Sequence, residues 1–235
     1  MADQTFADGT GFPIFRRETV EFVRQYLPTE KEKIIPTQNT KQHTEHNRWD
    51  IHPEIPVEQR YDFDFAAHPV DVVGKKERFR RNMEAIKILK ECEADNRFAT
   101  PDEQIVLSKY VGWGGIPEAF DENNSSWANE YEELISALSP EEYNAAREST
   151  LTAFYTPQEV VKACYDIAEN LGFKQGNILE PSCGIGNFIG MKPKSMTDSK
   201  VYGIELDSVS AAIAQQLYQT ASIVNNRYEK VDFTR

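Results

Sequence analysis

No stretch of the chain stays apolar for the roughly 18–20 residues that a membrane-spanning helix requires. The opening residues, Met1 to Thr10, are polar and acidic, the opposite of a secretory signal. Both absences point to a cytoplasmic protein with no membrane partner. Cysteine is scarce: Cys92, Cys164 and Cys183 are odd in number and far apart, which argues against a disulfide framework and fits a reducing compartment. No metal site is expected, because His43 and His46 form a lone His-x-x-His without a nearby cysteine, a pattern that usually belongs to a solvated loop. Positive charge is in deficit as well. With 26 basic and 38 acidic residues the net charge is −12, and such a surface repels a phosphate backbone. A free-standing DNA-binding domain of the usual basic kind is thereby excluded.

What is present suits a globular protein. Hydrophobic residues make up 40% of the chain and charged residues 27%, which supports one core, or one core and a smaller helical region. The acid is unevenly placed: Glu118 to Glu148 holds nine carboxylates and a single base, Arg147. A stripe of that kind is ordinarily a solvated face. Its other reading is a docking surface for a basic partner, with Glu130, Glu132 and Glu133 as contacts.

Three segments differ in pattern. Residues 1–74 are least regular and read as an arm, with a helix at Glu18 to Leu27 and a strand-like alternation at Tyr61-Asp62-Phe63-Asp64-Phe65. Residues 75–150 are mainly helical. Phe79, Met83, Ile86, Leu89 and Cys92 make one apolar stripe, opposed by a wet face of Lys75, Lys76, Arg78, Arg80 and Arg81. Trp127, Tyr131, Leu134, Ile135 and Leu138 make another, and Gly112-Trp113-Gly114-Gly115 reads as a packing corner. Thr100-Pro101-Asp102-Glu103, Ser139-Pro140-Glu141-Glu142 and Thr156-Pro157-Gln158-Glu159 each place an N-cap hydroxyl, a proline and a carboxylate as a helix start requires.

Residues 151–235 change to alternating helix and strand. Val160, Cys164, Ile167 and Leu171 stripe a helix that stops at Gly172. Strands are expected at Asn177–Glu180, Val201–Glu205 and around Ile223-Val224, with a helix carrying Val209, Ile213 and Leu217 between the last two. The fold class is therefore α/β, the opening half of a doubly wound, Rossmann-like sheet preceded by a mainly helical region.

The central motif is Glu180-Pro181-Ser182-Cys183-Gly184-Ile185-Gly186-Asn187-Phe188, a strand ending in a carboxylate and a turn whose glycines admit a ligand close to the backbone. A dinucleotide fingerprint would need glycine where Ile189 stands, and there is no Gly-Lys-Ser/Thr phosphate loop. A carboxylate before the loop suits a cationic ligand such as a methionine-bearing sulfonium. Glu205, ending the second strand, can accept the hydroxyls of a ribose, and Leu206 can pack on a flat ring. Asp232, expected at or near the end of the third strand, can accept from an exocyclic amine while Phe233 stacks on a purine. Phe154-Tyr155-Thr156-Pro157 precedes the first strand's helix.

Taken in order, Phe-Tyr-Thr-Pro, Glu-Pro-x-Cys-Gly-x-Gly-Asn-Phe, Gly-Ile-Glu-Leu-Asp and Asp-Phe resemble the cofactor motifs of N6-adenine DNA methyltransferases, and are similar to the modification subunits of type I restriction systems. Upstream, Tyr110-Val111-Gly112-Trp113-Gly114-Gly115-Ile116-Pro117 resembles large methylase–helicase proteins of conjugative elements and phages. The resemblance covers about residues 75–235. It implies S-adenosylmethionine as cofactor, with Thr156 and the loop Glu180, Pro181, Cys183, Gly184 and Gly186 at its methionine end, and Tyr155, Asn187 and Phe188 as further cofactor-binding residues. Glu205 would hold the ribose, and Asp232 with Phe233 the adenine, with Leu206 against its flat ring.

One departure matters. The family's Asn/Asp-Pro-Pro-Tyr/Phe-type motif, which positions a flipped adenine, occurs nowhere in these residues, so no catalytic residue is assigned. The expectation is a cofactor-binding module of a mobile element, silent alone and meeting DNA only within a larger protein. The alternatives are an acidic anti-restriction decoy for a basic host restriction or CRISPR nuclease, and a subunit that completes an active site with a second chain.

Overall fold

The computed structural model describes residues 49–69, 71–151 and 153–232. All belong to the second of two units into which the chain divides, Glu45–Arg235. The expected helix at Glu18 to Leu27, the pair His43 and His46, and Phe233 lie outside the described residues.

Helix α1 spans Lys75–Ala94 and buries its expected stripe, Phe79, Met83, Ile86, Leu89 and Cys92. The face with Lys75, Lys76 and Arg78 is not simply wet. Lys75 pairs with Glu118, Lys76 with Glu130 at 2.6 Å and Lys90 with Glu142, while Arg78 donates to the Gly114 carbonyl at 2.7 Å. Three carboxylates of the acidic stretch are thus tied to α1. Helices α2 (Pro101–Leu107) and α4 (Pro140–Ser149) begin with complete capping boxes from Thr100 with Glu103 and from Ser139 with Glu142. Between them, α3 (Ala128–Ala137) leans on the core through Leu134, with Trp127 and Leu138 buried at its ends. Ile135 of the expected stripe points outward and is exposed.

Helix α5, Gln158–Asn170, differs from expectation at both its start and its face. Its N-cap is Pro157, and no side chain caps it, so Thr156 builds no capping box. The stripe Val160, Cys164, Ile167 and Leu171 is exposed, and Val161 and Tyr165 are the buried side. Two apolar series one residue apart share helical spacing here, and only the packing partner decides between them. Gly172, at φ +92°, follows the helix as its left-handed terminus.

Strands β1 (Asn177–Glu180), β2 (Lys200–Glu205) and β3 (Ser222–Asn225) form a parallel sheet in that order. Register sets Glu180 beside Gly203 and Glu205 beside Asn225. A single turn, α6 (Asn187–Gly190), follows the loop after β1, and α7 (Ser208–Leu217) joins β2 to β3. Helix α7 buries Val209, Ser210, Ala211, Ile213, Ala214, Gln216 and Leu217, so little of its surface meets water. It touches β2, β3, α1, α2 and α4, so sheet and upstream helices share one apolar core. At Tyr61–Phe65 the expected strand is reduced to one antiparallel bridge, Asp62 to Tyr218. The fold is mixed α/β, consistent with a Rossmann-like fragment. Among the described residues no helix is long and apolar enough to cross a membrane.

Candidate functional site

The loop from β1 to α6 turns on two left-handed glycines, Gly184 at φ +55° and Gly186 at φ +87°. The Gly186 N–H donates to the Cys183 carbonyl at 2.7 Å, and the Cys183 N–H to the Ile204 carbonyl at 2.9 Å, which laces the loop to β2. Glu205 completes the lacing. Its Oε2 accepts from the Gly184 N–H and its Oε1 from the Asp207 N–H, each at 2.8 Å. Its own carbonyl accepts from the Asn226 N–H at 3.0 Å and from Asn225 Nδ2 at 2.9 Å.

Beside it, the last residue of β1 is served quite differently. Glu180 Oε2 is enclosed and has no hydrogen-bond partner. Asn187 Oδ1 is in the same condition, although its Nδ2 donates to the Thr156 carbonyl at 3.1 Å. Two enclosed acceptors without donors flank the glycine loop, and each such group costs roughly 1–3 kcal/mol unless a ligand supplies the missing donor. Burial, and then the charge on Glu205, push the Glu180 carboxyl up to about 8. Burial also drives the Cys183 thiol well up from its ordinary value. That thiol packs against Gly203, where a Cβ would lie 3.0 Å from Sγ, so it fills space and is no nucleophile. Among the described residues no three His, Cys, Asp or Glu side chains cluster as metal ligands would.

Tyr155 lies beneath the loop. A Cβ on Gly184 would stand 2.7 Å from its ring, and one on Gly112 3.2 Å from its hydroxyl, so the ring is pressed between two glycines. Its hydroxyl meets Ser210 Oγ at 2.9 Å, and the Ser210 N–H donates to Asp207 Oδ2 at 2.8 Å, the N-cap of α7. The fully buried Asn82 of α1 holds the other side, donating to the Gly112 carbonyl at 2.7 Å and accepting from the Val111 N–H at 2.9 Å. The bend at Gly112–Gly115 is therefore the floor of the glycine loop.

The remaining expected residues scatter. Pro181 is exposed, and Leu206 is 63% exposed beyond Glu205. Phe188 turns into a second small core with Val161, Tyr165 and Met196, its ring centroid 6.1 Å from that of Tyr165. Asp232 is exposed and lies past a short turn at Tyr228–Lys230, well beyond the end of β3. On α3, Glu130 is committed to Lys76, while Glu132 and Glu133 are exposed. Asp207 and Ser210 were legible as an N-cap pattern and went unassigned; Asn225 carries no local signal. A broad groove of about 1150 Å³ opens among Trp49, Leu179, Lys200 and Tyr202, and neither Glu180 nor Glu205 lines it.

Two known proteins are similar to the chain. Type II methyltransferase M.CvrRI of Paramecium bursaria Chlorella virus XZ-6E is 36% identical over 74 residues, 31% of this chain and 19% of that protein. Defense against restriction protein B of Escherichia phage P1 is 27% identical over 163 residues, 68% of this chain and 6% of that protein. The chain thus spans under a fifth of the first relative and a far smaller share of the second. No family model matches it, and no solved structure does.

Proposed function

We propose that this unit binds S-adenosylmethionine, as the cofactor half of an N6-adenine-type DNA methyltransferase-like region within a larger protein. The observation that carries the reading is the pair of enclosed acceptors, Glu180 Oε2 and Asn187 Oδ1, left without donors beside a left-handed glycine loop. A cofactor with an ammonium and a sulfonium supplies both donors and positive charge. Thr156 orients Asn187 through its carbonyl. Glu205 already accepts two backbone N–H groups, and its remaining lone pairs suit ribose hydroxyls. Leu206, Asp232 and Phe233 are assigned to the adenine. When bound, the cofactor supplies an activated methyl group. Its acceptor would be positioned by an Asn/Asp-Pro-Pro-Tyr/Phe-type motif in another segment or a second chain, since none occurs here. The similarity to a viral type II methyltransferase supports this reading.

Isothermal titration with S-adenosylmethionine and with its demethylated product should each give one site. A parallel assay with tritiated cofactor and adenine-rich DNA should stay at background. Absence of heat with both ligands would overturn the reading.

A second reading draws on the likeness to the phage defence protein over 68% of this chain. Here the acidic face of α3 docks on a basic host nuclease. Because Glu130 is already paired with Lys76, the free contacts are Glu132 and Glu133. Replacing these two with Gln should slow capture by purified restriction nucleases roughly tenfold at low salt and leave the melting temperature unchanged. Equal capture by both proteins removes the docking role.

A further inference from the structure

The two carboxylates that end β1 and β2 are unequally provided for, and this has a consequence for how the site accepts a cation. Glu205 takes one backbone N–H on each oxygen. Glu180, on the neighbouring strand, has an enclosed oxygen with no donor at all. We infer that Glu180 is the proton-exchange group of the site: it holds a proton when the site is empty and releases it to solvent as the cationic end of the cofactor docks. This rests on the cofactor reading above and adds to it a coupling between binding and pH.

The surroundings of Glu180 contain no competing cation among the groups coupled to it. From β2 comes the Glu205 carboxylate, from the loop the Cys183 thiol, from α5 the Tyr165 hydroxyl and from the end of α7 the Tyr218 hydroxyl. Burial drives the thiol and both hydroxyls up, so all three stay neutral near pH 7. The α6 residues Asn187 and Phe188, which follow the loop, do not titrate. Glu205 is thus the one charged neighbour, and it repels a second anion. Burial first, and then the Glu205 charge, raise the Glu180 carboxyl to about 8, and at neutral pH the empty site is protonated there. An ammonium or sulfonium reverses the balance, because an opposite charge at hydrogen-bond distance favours the carboxylate. The O–H bond breaks, the proton goes to buffer, and the freed oxygen receives the ligand.

The sign follows. Below about pH 8 the proton must leave before the cation is accepted, so affinity climbs by about tenfold per pH unit and levels off above. Titration with S-adenosylmethionine from about pH 5.5 to about pH 7, where the cofactor's own amine stays charged, reads this directly. We expect affinity to rise more than tenfold across that range. At pH 7 the apparent heat should differ between phosphate and Tris by close to one proton released. Glu180→Gln should bind more weakly, with affinity flat in pH and the same heat in both buffers. A flat wild-type profile with buffer-independent heat overturns the inference and leaves the cofactor reading standing. No binding at any pH overturns both. Carboxyl-carbon NMR of the unliganded wild type is independent of the variant's folding. A Glu180 signal that titrates near 4, in the ordinary carboxylate range, overturns the proton exchange alone.

Discussion

Gly186→Ala is expected to lower unfolding stability by about 4 kcal/mol and to leave too little native loop for cofactor binding. Two penalties combine. At φ +87° any Cβ is strained by roughly 1–2 kcal/mol. The new methyl would also stand 2.8 Å from Tyr218 Cδ2 and nearer still to Cε2. That ring cannot swing away, because Tyr218 is 1% exposed and its hydroxyl already abuts Gly190. Overpacking of this kind costs roughly 1–3 kcal/mol more. Gly172→Ala is the control, since Gly172 has φ +92° but nothing within 4 Å of its absent Cβ. Urea unfolding should show the strain alone there, roughly 1 kcal/mol. Equal losses at the two positions would mean that Tyr218 yields and that the collision contributes nothing.

The second large effect is expected at Glu205. Its replacement by Ala removes the acceptor of both the Gly184 and Asp207 N–H groups and, on the proposed reading, the ribose contact. A loss of roughly 1.5–3 kcal/mol corresponds to about 10- to 150-fold weaker binding. Calorimetry with S-adenosylmethionine on Glu205→Ala and Glu205→Gln separates the contributions. The amide keeps one acceptor oxygen, so it should retain part of the loop and an intermediate affinity. The Ala variant should also lower the Glu180 carboxyl, because the repelling charge is gone. Wild-type affinity in the Ala variant would remove Glu205 from the site.

Much of this site was legible because its signals are local. A carboxylate at a strand end, glycines after it and a second carboxylate one crossover later can be read from neighbours in sequence, and the structure brings Glu180, Gly184, Gly186 and Glu205 together. What was not legible depends on partners far along the chain. The exposed face of α5 could not be told from the buried one, since Val160 and Val161 each head a helical series. Thr156 has the residues of a capping box, but its carbonyl serves Asn187 and the helix starts behind Pro157. The acidic stretch looked like free surface because Lys75, Lys76 and Lys90, which engage Glu118, Glu130 and Glu142, lie on another helix. Asp232 was placed near β3 by motif order, whereas β3 stops at Asn225.

The ring of Tyr155 pressed between Gly112 and Gly184 bears on how such a chain can drift. A methyl group on either glycine intrudes on the ring, and a smaller ring leaves a hole beneath the loop. These three positions, far apart in sequence, are therefore packed as one unit, and because both glycines also hold left-handed backbone, at φ +65° and +55°, a substitution at any of the three is expected to loosen the loop. A gene fusion or excision that separates the Gly112 bend from the glycine loop would leave the loop without its floor.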